Sequence, residues 1–386
     1  MKKKITFIFF LNVYISIFSI FFLSSLFAQE QIIKNNEKIQ NKWMELEEYS
    51  FSNELQRETH SVLISQNGKI VYEKYAHGWQ AEQKHHSWSI AKTISAMLVF
   101  AAIDDGYLKL DTSLAELPLD LKSKSCLDND GVKKTLKIKH LITMSSGLKF
   151  SEKYETGPFY SSVISMLYGI GQQNMGQYVL CLPQKTEPGK LFEYSSGDTN
   201  VLMMALASTL PNSLRANYPW LRLFDPLEMN VTWEVDGINT PVGSSWIYMK
   251  PRDYLKLGEL ILNKGKYKNK QIISKDSILE IAKVGEVNFQ ELTLKNYASN
   301  YYEKPNLIYG HGSWLNKTIE VKDLKLNKAY KNITENIFFF LGHQGQSITV
   351  LPDLNAVILR LGNDSAKSFL REKFLEIAIR ALEDSK

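Results

Sequence analysis

One apolar segment constrains the fold of this chain more than any other. The seventeen residues from Ser87 to Ile103 carry a single charge, that of Lys92. From Ile90 to position 105 the chain has no glycine or proline and is rich in alanine, leucine, methionine and isoleucine. This composition predicts an α-helix buried on most of its faces. Ser87 is a suitable N-cap for it and Gly106 a suitable stop.

Lys92 is out of place in such a helix. Its ammonium would lie in the first turn, near the positive end of the helix dipole, and in a segment that favours burial, so its charged form is disfavoured twice. Ser89 precedes it by three residues, which brings the two Cβ atoms to about 5 to 6 Å on a helix. A lysine with a lowered pKa can accept a proton from a hydroxyl, so we predict that Ser89 is a nucleophile and Lys92 its base. The alternative is a chance match, because the Ser-x-x-Lys pattern also occurs from Ser146 to Lys149 in a loop-like stretch.

The composition is that of a globular protein. The 386 residues are 44% hydrophobic and 12% aromatic, which is enough for a large core. The net charge is +5, and basic residues are interleaved with acidic ones along the chain. This pattern predicts a mixed, solvated surface and no nucleic-acid partner. The seven histidines and two cysteines show no metal-ligand spacing, so we expect no metal and no cofactor.

The N-terminus has the form of an export signal. Three lysines at positions 2–4 precede an uncharged run over 5–28 that ends in a small residue, Ala28. We predict a signal peptide over 1–28, cleaved after Ala28, and a mature protein in the periplasm or outside the cell. The run is also long enough to span a bilayer, so an uncleaved membrane anchor is the alternative. Export would permit a disulfide between Cys126 and Cys181, which the sequence leaves open.

Strand patterns lie at both ends of the chain and helical patterns lie between them. A hairpin with an Asn-Gly turn is predicted over 61–75, and a turn over 352–355. Further strands are predicted over 309–315, 337–341, 347–351 and 356–361. Helices are predicted over about 30–56, 139–144, 162–168, 175–182, 200–210, 251–265 and 365–383.

This arrangement predicts an α+β fold with one domain over 29–386. An antiparallel sheet would be built from about 55–88 and 240–386, with the terminal helices covering a face. A mostly helical subdomain would be inserted over about 89–239.

Two later segments could complete an acyl-transfer site. Tyr194 precedes the predicted helix over 200–210, and a tyrosine beside a lysine can relay a proton as a phenol or a phenolate. His343, Gly345 and Gln346 follow an apolar strand, and the glycine would let a substrate carbonyl approach the backbone. The N–H groups of Ser89 and Gln346 would then hold the oxyanion. Taken singly, a tyrosine such as Tyr194 is more often a hydrogen-bonded core residue, and the segment from His343 to Gln346 fits a strand-end loop with a surface histidine equally well.

Three motifs together resemble those of the penicillin-recognising serine hydrolases. Their order and wide spacing are similar to the branch that includes class C β-lactamases, D-alanyl-D-alanine carboxypeptidases, family VIII esterases and 6-aminohexanoate-dimer hydrolase. The third motif is most similar to the last group, and supporting matches extend over about 63–363. The resemblance implies a β-lactamase/transpeptidase-like fold. The motifs are Ser89-Ile90-Ala91-Lys92, Tyr194-Ser195-Ser196 and His343-Gln344-Gly345.

The resemblance also implies roles for these residues. The serine would be acylated, Lys92 and Tyr194 would move protons, and Ser196 with the third motif would line the substrate site. β-Lactamases of this branch usually have asparagine at Ser196 and Lys-Thr-Gly at positions 343–345. Loss of that lysine removes a fixed cation for a substrate carboxylate, because histidine is only partly charged near neutrality.

The function that follows is an exported serine hydrolase of a small ester or amide. A β-lactamase or D-alanyl-D-alanine carboxypeptidase is the first alternative, and a non-catalytic envelope binding protein on the same scaffold is the second. An α/β-hydrolase is excluded, because no Gly-x-Ser-x-Gly elbow occurs in the chain.

Overall fold

A computed structural model of the chain describes residues 42–52, 58–119, 126, 132–154, 160–300, 307–365 and 368–383. The predicted signal peptide over 1–28 lies outside these residues. So does most of the helix predicted over 30–56, of which helix α1 over 42–51 is described. Among the described residues, no helix combines the length and the apolar character needed to cross a membrane.

The strands are mostly short, apart from those that form the centre of the main sheet. They are β1 (Glu58–Gln66), β2 (Lys69–Tyr75), β3 (His85–His86), β4 (Thr232–Trp233), β5 (Ile247–Met249), β6 (Lys266–Tyr267), β7 (Lys270–Gln271), β8 (Ile308–Tyr309), β9 (Trp314–Leu315), β10 (Ile319–Val321), β11 (Leu324–Leu326), β12 (Phe338–Gly342), β13 (Gln346–Leu351) and β14 (Ala356–Asn363).

The main sheet is built from both ends of the chain, as predicted. Its seven strands are antiparallel and follow the order β2-β1-β14-β13-β12-β9-β8. The strand β1 pairs with β14 from Glu58↔Asn363 to Gln66↔Ala356, with one irregularity near Thr59. The predicted hairpin and its Asn-Gly turn are confirmed as β1 and β2, with Asn67 and Gly68 both at positive φ.

The helices fill the middle of the chain and close its end. After α1 they are α2 (Ile90–Asp104), α3 (Ile138–Ile142), α4 (Ser162–Tyr168), α5 (Met175–Leu180), α6 (Ser196–Thr209), α7 (Asn212–Arg215), α8 (Pro251–Leu262), α9 (Lys275–Ile281), α10 (Glu291–Asn300) and α11 (Arg371–Glu383).

The sheet is buried on both faces because each face has its own helical layer. Along β1, Val62 and Ile64 belong to the apolar cluster formed with α1 and α11, whereas Leu63 belongs to the larger cluster on the other face. That larger cluster contains α2, α6 and α8. Alternate side chains of a strand point to opposite faces, so a continuous apolar run such as β1 fits a sheet covered twice.

Helix α2 is the centre of the larger cluster. All of its residues from Ile90 to Ala102 are buried. Gly312 packs so closely on the helix that an added Cβ would lie 2.3 Å from the Cβ of Ala96. The prediction of a helix buried on most faces is confirmed.

Several element boundaries differ from the sequence expectation. The N-cap position of α2 is occupied by Ser89 and not by Ser87, whose hydroxyl donates to the Trp88 carbonyl. Helix α6 begins at Ser196, four residues before the predicted start, because the Ser195 side chain caps it. Helix α11 begins at Arg371 and not at 365.

Two segments were assigned the wrong structure. The single strand predicted over 309–315 is a hairpin of β8 and β9, because Gly312 at φ +105° reverses the chain. The polar stretch after α8, for which no helix or strand was predicted, contains helices α9 and α10. Both helices are short. Short helices are stabilised mainly by tertiary packing, so the local sequence pattern predicts them poorly.

Candidate active site

Ser89 and Lys92 face each other at the start of α2. The Lys92 ammonium nitrogen lies 2.9 Å from the Ser89 Oγ and 3.1 Å from the Ser244 carbonyl oxygen, to both of which it donates. Only 3% of the lysine is exposed. Burial lowers the pKa of Lys92 to about 8, while the negative charge of Glu152 opposes that shift. A neutral amine is therefore accessible to this lysine near physiological pH.

The backbone before the nucleophile is sharply turned. Trp88 has a φ of 47°, in the left-handed region that large residues rarely adopt. The Ser87 N–H donates to the Ile247 carbonyl and anchors the turn to β5. The Ser89 side chain makes no helix-capping hydrogen bond. Its hydroxyl is therefore directed to Lys92 rather than used to cap the helix.

Tyr194 lies beside this pair. Its hydroxyl interacts with the Ser89 side chain, and the Lys92 Nζ is 5.0 Å from the centre of its ring. The ring stacks on Trp314 at 5.5 Å. Burial raises the pKa of Tyr194 well above 10, and the charge of Glu152 raises it further. The phenol is therefore protonated, and of the two protonation states expected from the sequence the phenolate is disfavoured.

Ser196 is the first residue of α6, and its polar groups are held by a carboxylate. The Ser196 N–H and O–H donate to the two oxygens of Glu152 at 2.8 and 2.5 Å. Only 1% of Ser196 is exposed. One turn further along α6, Asn200 donates to the Ser244 Oγ at 2.9 Å. Helix α6 therefore connects Glu152 to the loop that binds Lys92.

The third motif forms the tight turn between β12 and β13. The exposed His343 ring lies between Trp88, at 5.2 Å, and Tyr154, on which it stacks at 5.7 Å. Gly342 lies against the nucleophile's turn, since an added Cβ would be 2.6 Å from the Ser87 carbonyl oxygen. The glycine of the motif, Gly345, has φ +81°.

A buried arginine supports this turn from below. Arg360 on β14 is fully enclosed and donates to the Gln344 carbonyl at 3.0 Å and to the Thr59 Oγ1 at 3.0 Å. A Cβ on Gly345 would lie 2.4 Å from its Nη1. The glycine is thus needed twice, for its backbone conformation and for the space that the guanidinium occupies.

The side chain of Gln346 points into the protein, away from the cleft. It is fully buried, and its side-chain amide exchanges hydrogen bonds with the backbone of Gly362. Its backbone pairs with Gly342 to close the hairpin. The side chain therefore joins β13 to β14 and does not reach the cleft.

An open cleft of about 1630 Å³ extends from Tyr194 and the third motif towards the start of α11. Its walls mix aromatic and charged side chains. Among the residues that line it are Phe192, Glu193, Tyr194, Tyr297, Trp314, Tyr330, Lys331, Leu341, His343, Gln344, Gly345, Phe369, Arg371 and Lys373. Over the described residues, no group of three or more His, Cys, Asp or Glu side chains is gathered as a metal site requires.

Comparison with known protein families agrees with this geometry. The family described as Beta-lactamase matches residues 45–381, which is most of the chain. The chain belongs to the Beta-lactamase family. Members of this family are serine hydrolases, among them esterases and amidases. None of the curated proteins compared matches the sequence.

Solved structures of the same fold come from several kinds of protein. A putative 6-aminohexanoate-dimer hydrolase from Bacillus anthracis is similar at a TM-score of 0.62 and 17% identity, over 85% of this chain and 79% of that one. EstCE1, a hydrolase with promiscuous acyltransferase activity, is similar at 0.62 and 16%, over 90% and 98%. A D-stereospecific amidohydrolase from Streptomyces sp. is similar at 0.56 and 13%, over 86% and 96%. At these identities the likeness shows the Beta-lactamase-family fold alone.

The structure gathers most of the predicted site residues of this family member. Ser89 and Lys92 are in contact beside Tyr194, and the His343 ring contacts Trp88, the residue before the nucleophile. Tyr194, His343 and Gly345 line the cleft, whereas Ser196 is buried at the start of α6. Sequence reasoning did not find Glu152, Ser244 or Arg360, because no motif marks them. Cys126 and Cys181, which were left open, form a disulfide.

Proposed function

We propose that this protein is an exported serine hydrolase that cleaves a small ester or amide through an acyl-enzyme on Ser89. The observation that carries the proposal is the contact of 2.9 Å between a buried lysine nitrogen and a hydroxyl at a helix N-terminus. A structural role would not need a lysine enclosed among apolar side chains, since burial of its charge is costly.

The reaction would begin with neutral Lys92. Its amine takes the Ser89 proton while the Oγ bonds to the substrate carbonyl carbon, and the carbonyl oxygen becomes an oxyanion. The Ser89 N–H, at the positive end of α2, is a donor for that oxyanion. The backbone of the third-motif turn would supply the second donor, because Gly342 brings it against the nucleophile's turn.

Collapse of the intermediate would break the bond to the leaving group. The leaving alkoxide or amine receives the proton that Lys92 took, through the neutral Tyr194 hydroxyl, which can donate one proton and accept another. Water then attacks the acyl-enzyme, gives a proton back to the same relay and releases the acid with Ser89 restored.

The β-lactamase or carboxypeptidase alternative is less well supported. Substrates of both kinds carry a carboxylate, and the third motif has His343 where β-lactamases of this branch have a lysine. The non-catalytic alternative is disfavoured because Ser89, Lys92 and Tyr194 are all present and in mutual reach.

The test is labelling of the purified protein with a fluorophosphonate, followed by peptide mapping. We expect one adduct, on Ser89, and none in Ser89→Ala. Ser87→Ala is the matched control, because this buried serine lies two residues away and should label normally. An adduct elsewhere, or equal labelling of Ser89→Ala, would overturn the proposal. Faster turnover of a chromogenic cephalosporin than of p-nitrophenyl esters would favour the β-lactamase alternative.

Export is proposed on separate grounds. The sequence over 1–28 has the charge and hydrophobicity of a signal peptide, and a disulfide between Cys126 and Cys181 fits an oxidising compartment. Intact mass and N-terminal sequencing of the protein from its native host would test this. A first residue of Gln29 is expected, and an uncut N-terminus would favour the membrane anchor.

A further inference from the structure

Glu152 is a charged residue beside the catalytic groups, with no role in the reaction described above. Its carboxylate accepts both the N–H and the O–H of Ser196, in the first turn of α6. A carboxylate in this position is stabilised by the positive end of the helix dipole.

The negative charge of Glu152 acts on the groups around the nucleophile. It raises the pKa of Lys92, against the effect of burial, and it raises the pKa of both Tyr194 and Tyr154. Glu152 therefore lies within effective electrostatic range of the nucleophile, its base and the wall formed by Tyr154.

The cleft is lined by charges of both signs. Its carboxylates are those of Glu193, Asp364, Glu372 and Glu376, and its cations are carried by other elements than Glu152. Lys331 belongs to the loop before β12, and Arg371 and Lys373 belong to the start of α11. Arg371 donates to the Tyr330 hydroxyl at 3.2 Å. Arg360 lies beneath the third-motif turn, but it is fully enclosed and its N–H groups bind the Gln344 carbonyl and Thr59.

We propose that Glu152 selects substrates by charge, so that this site prefers esters and amides with a neutral or cationic acyl group over those with a carboxylate. The inference rests on the proposed function and states its substrate class. An anion fixed beside Ser196 attracts an ammonium and repels a carboxylate. This is the reverse of a site with a fixed lysine cation in the third motif.

The test compares three p-nitrophenyl esters of matched size that differ in charge. They are the esters of γ-trimethylammonio-butyrate, of its neutral tert-butyl isostere and of glutarate, which presents a carboxylate. For the wild type, kcat/KM should be highest for the cationic ester and lowest for the anionic one. In Glu152→Gln, the cationic-to-anionic ratio of kcat/KM should fall by about tenfold.

Two further variants complete the design. Glu116→Gln, an exposed carboxylate outside the cleft, makes the same change in net charge and should leave the ratio within about twofold. Glu152→Asp keeps the charge and should retain most of the preference, which separates charge from loss of the Ser196 hydrogen bonds. Melting temperatures verify that each variant is folded.

The possible failures are distinguishable. Normal hydrolysis of the neutral ester with an unchanged ratio in Glu152→Gln would overturn the inference and leave the proposed function standing. An equal fall in Glu116→Gln would also overturn it, because net charge alone would then explain the effect. Absence of Ser89-dependent hydrolysis of every ester would overturn the proposed function, and this inference with it.

Discussion

The pH dependence of acylation tests the role of Lys92 directly. Burial lowers its pKa to about 8, and only the neutral amine can accept the Ser89 proton. From that pKa, about one-tenth of the lysine is neutral at pH 7 and about nine-tenths at pH 9. The kcat/KM for a neutral ester should therefore rise about tenfold over this interval and then level off.

The assay is the initial rate with p-nitrophenyl acetate at low substrate concentration, with spontaneous hydrolysis subtracted at each pH. The rate constant of fluorophosphonate labelling gives an independent profile. Because Glu152 raises the pKa of Lys92, Glu152→Gln should move the rise in kcat/KM (the limb of the pH profile) to lower pH. Tyr194 stays protonated throughout, since its pKa is raised well above 10.

One other buried group titrates in this range and needs a control. Burial raises the pKa of Asp198, which lies in the first turn of α6 and accepts from Ser146, to about 7. Asp198→Asn removes that ionisation and should leave the limb near pH 8 in place. A profile that is flat between pH 6 and 9.5, or a limb that disappears in Asp198→Asn, would refute the assignment of Lys92 as the base.

Three further variants test stability and geometry. Lys92→Met should abolish acylation. It should also raise the free energy of unfolding at pH 7 by about 1–3 kcal/mol, measured by urea titration, because a buried charge is removed. A loss of stability would contradict this expectation. Gly342→Ala should lower kcat/KM by about tenfold or more with a normal KM, since the new Cβ meets the Ser87 carbonyl; wild-type kcat would contradict it. Replacing Cys126 and Cys181 by serine should lower stability by about 2–4 kcal/mol, and equal urea midpoints with and without reductant would argue against the disulfide.

Local patterns in the sequence were sufficient for several parts of this protein. The hairpin of β1 and β2 follows from two β-rich runs and an Asn-Gly turn, whose preference for positive φ is intrinsic. The burial of α2 follows from its apolar composition, with a single charge before Asp104. The contact of Ser89 with Lys92 follows from helix geometry alone, because residues three apart share a face.

Other parts depend on contacts between distant segments. Tyr194 comes about a hundred residues after the nucleophile, and His343 about a further hundred and fifty. No local sequence rule predicts that these residues lie close together. The motifs and the family resemblance suggested their proximity. In the structure, the packing of α6 on α2 and the pairing of the sheet strands bring them together. Of the two protonation states considered for Tyr194, the phenolate is disfavoured because burial and the charge of Glu152 both raise the pKa of the phenol.

The sequence by itself determined that a serine and a buried lysine share the first turn of one apolar helix, because that requires only the helical repeat. The tertiary structure alone decided what surrounds them. Ser244, Glu152 and Arg360 come from segments without a motif, and each acts through a single carbonyl, carboxylate or guanidinium whose position is set by long-range packing. The electrostatic potential at the nucleophile is the sum of the contributions of such groups, so it depends on the folded positions of residues that are distant in the sequence.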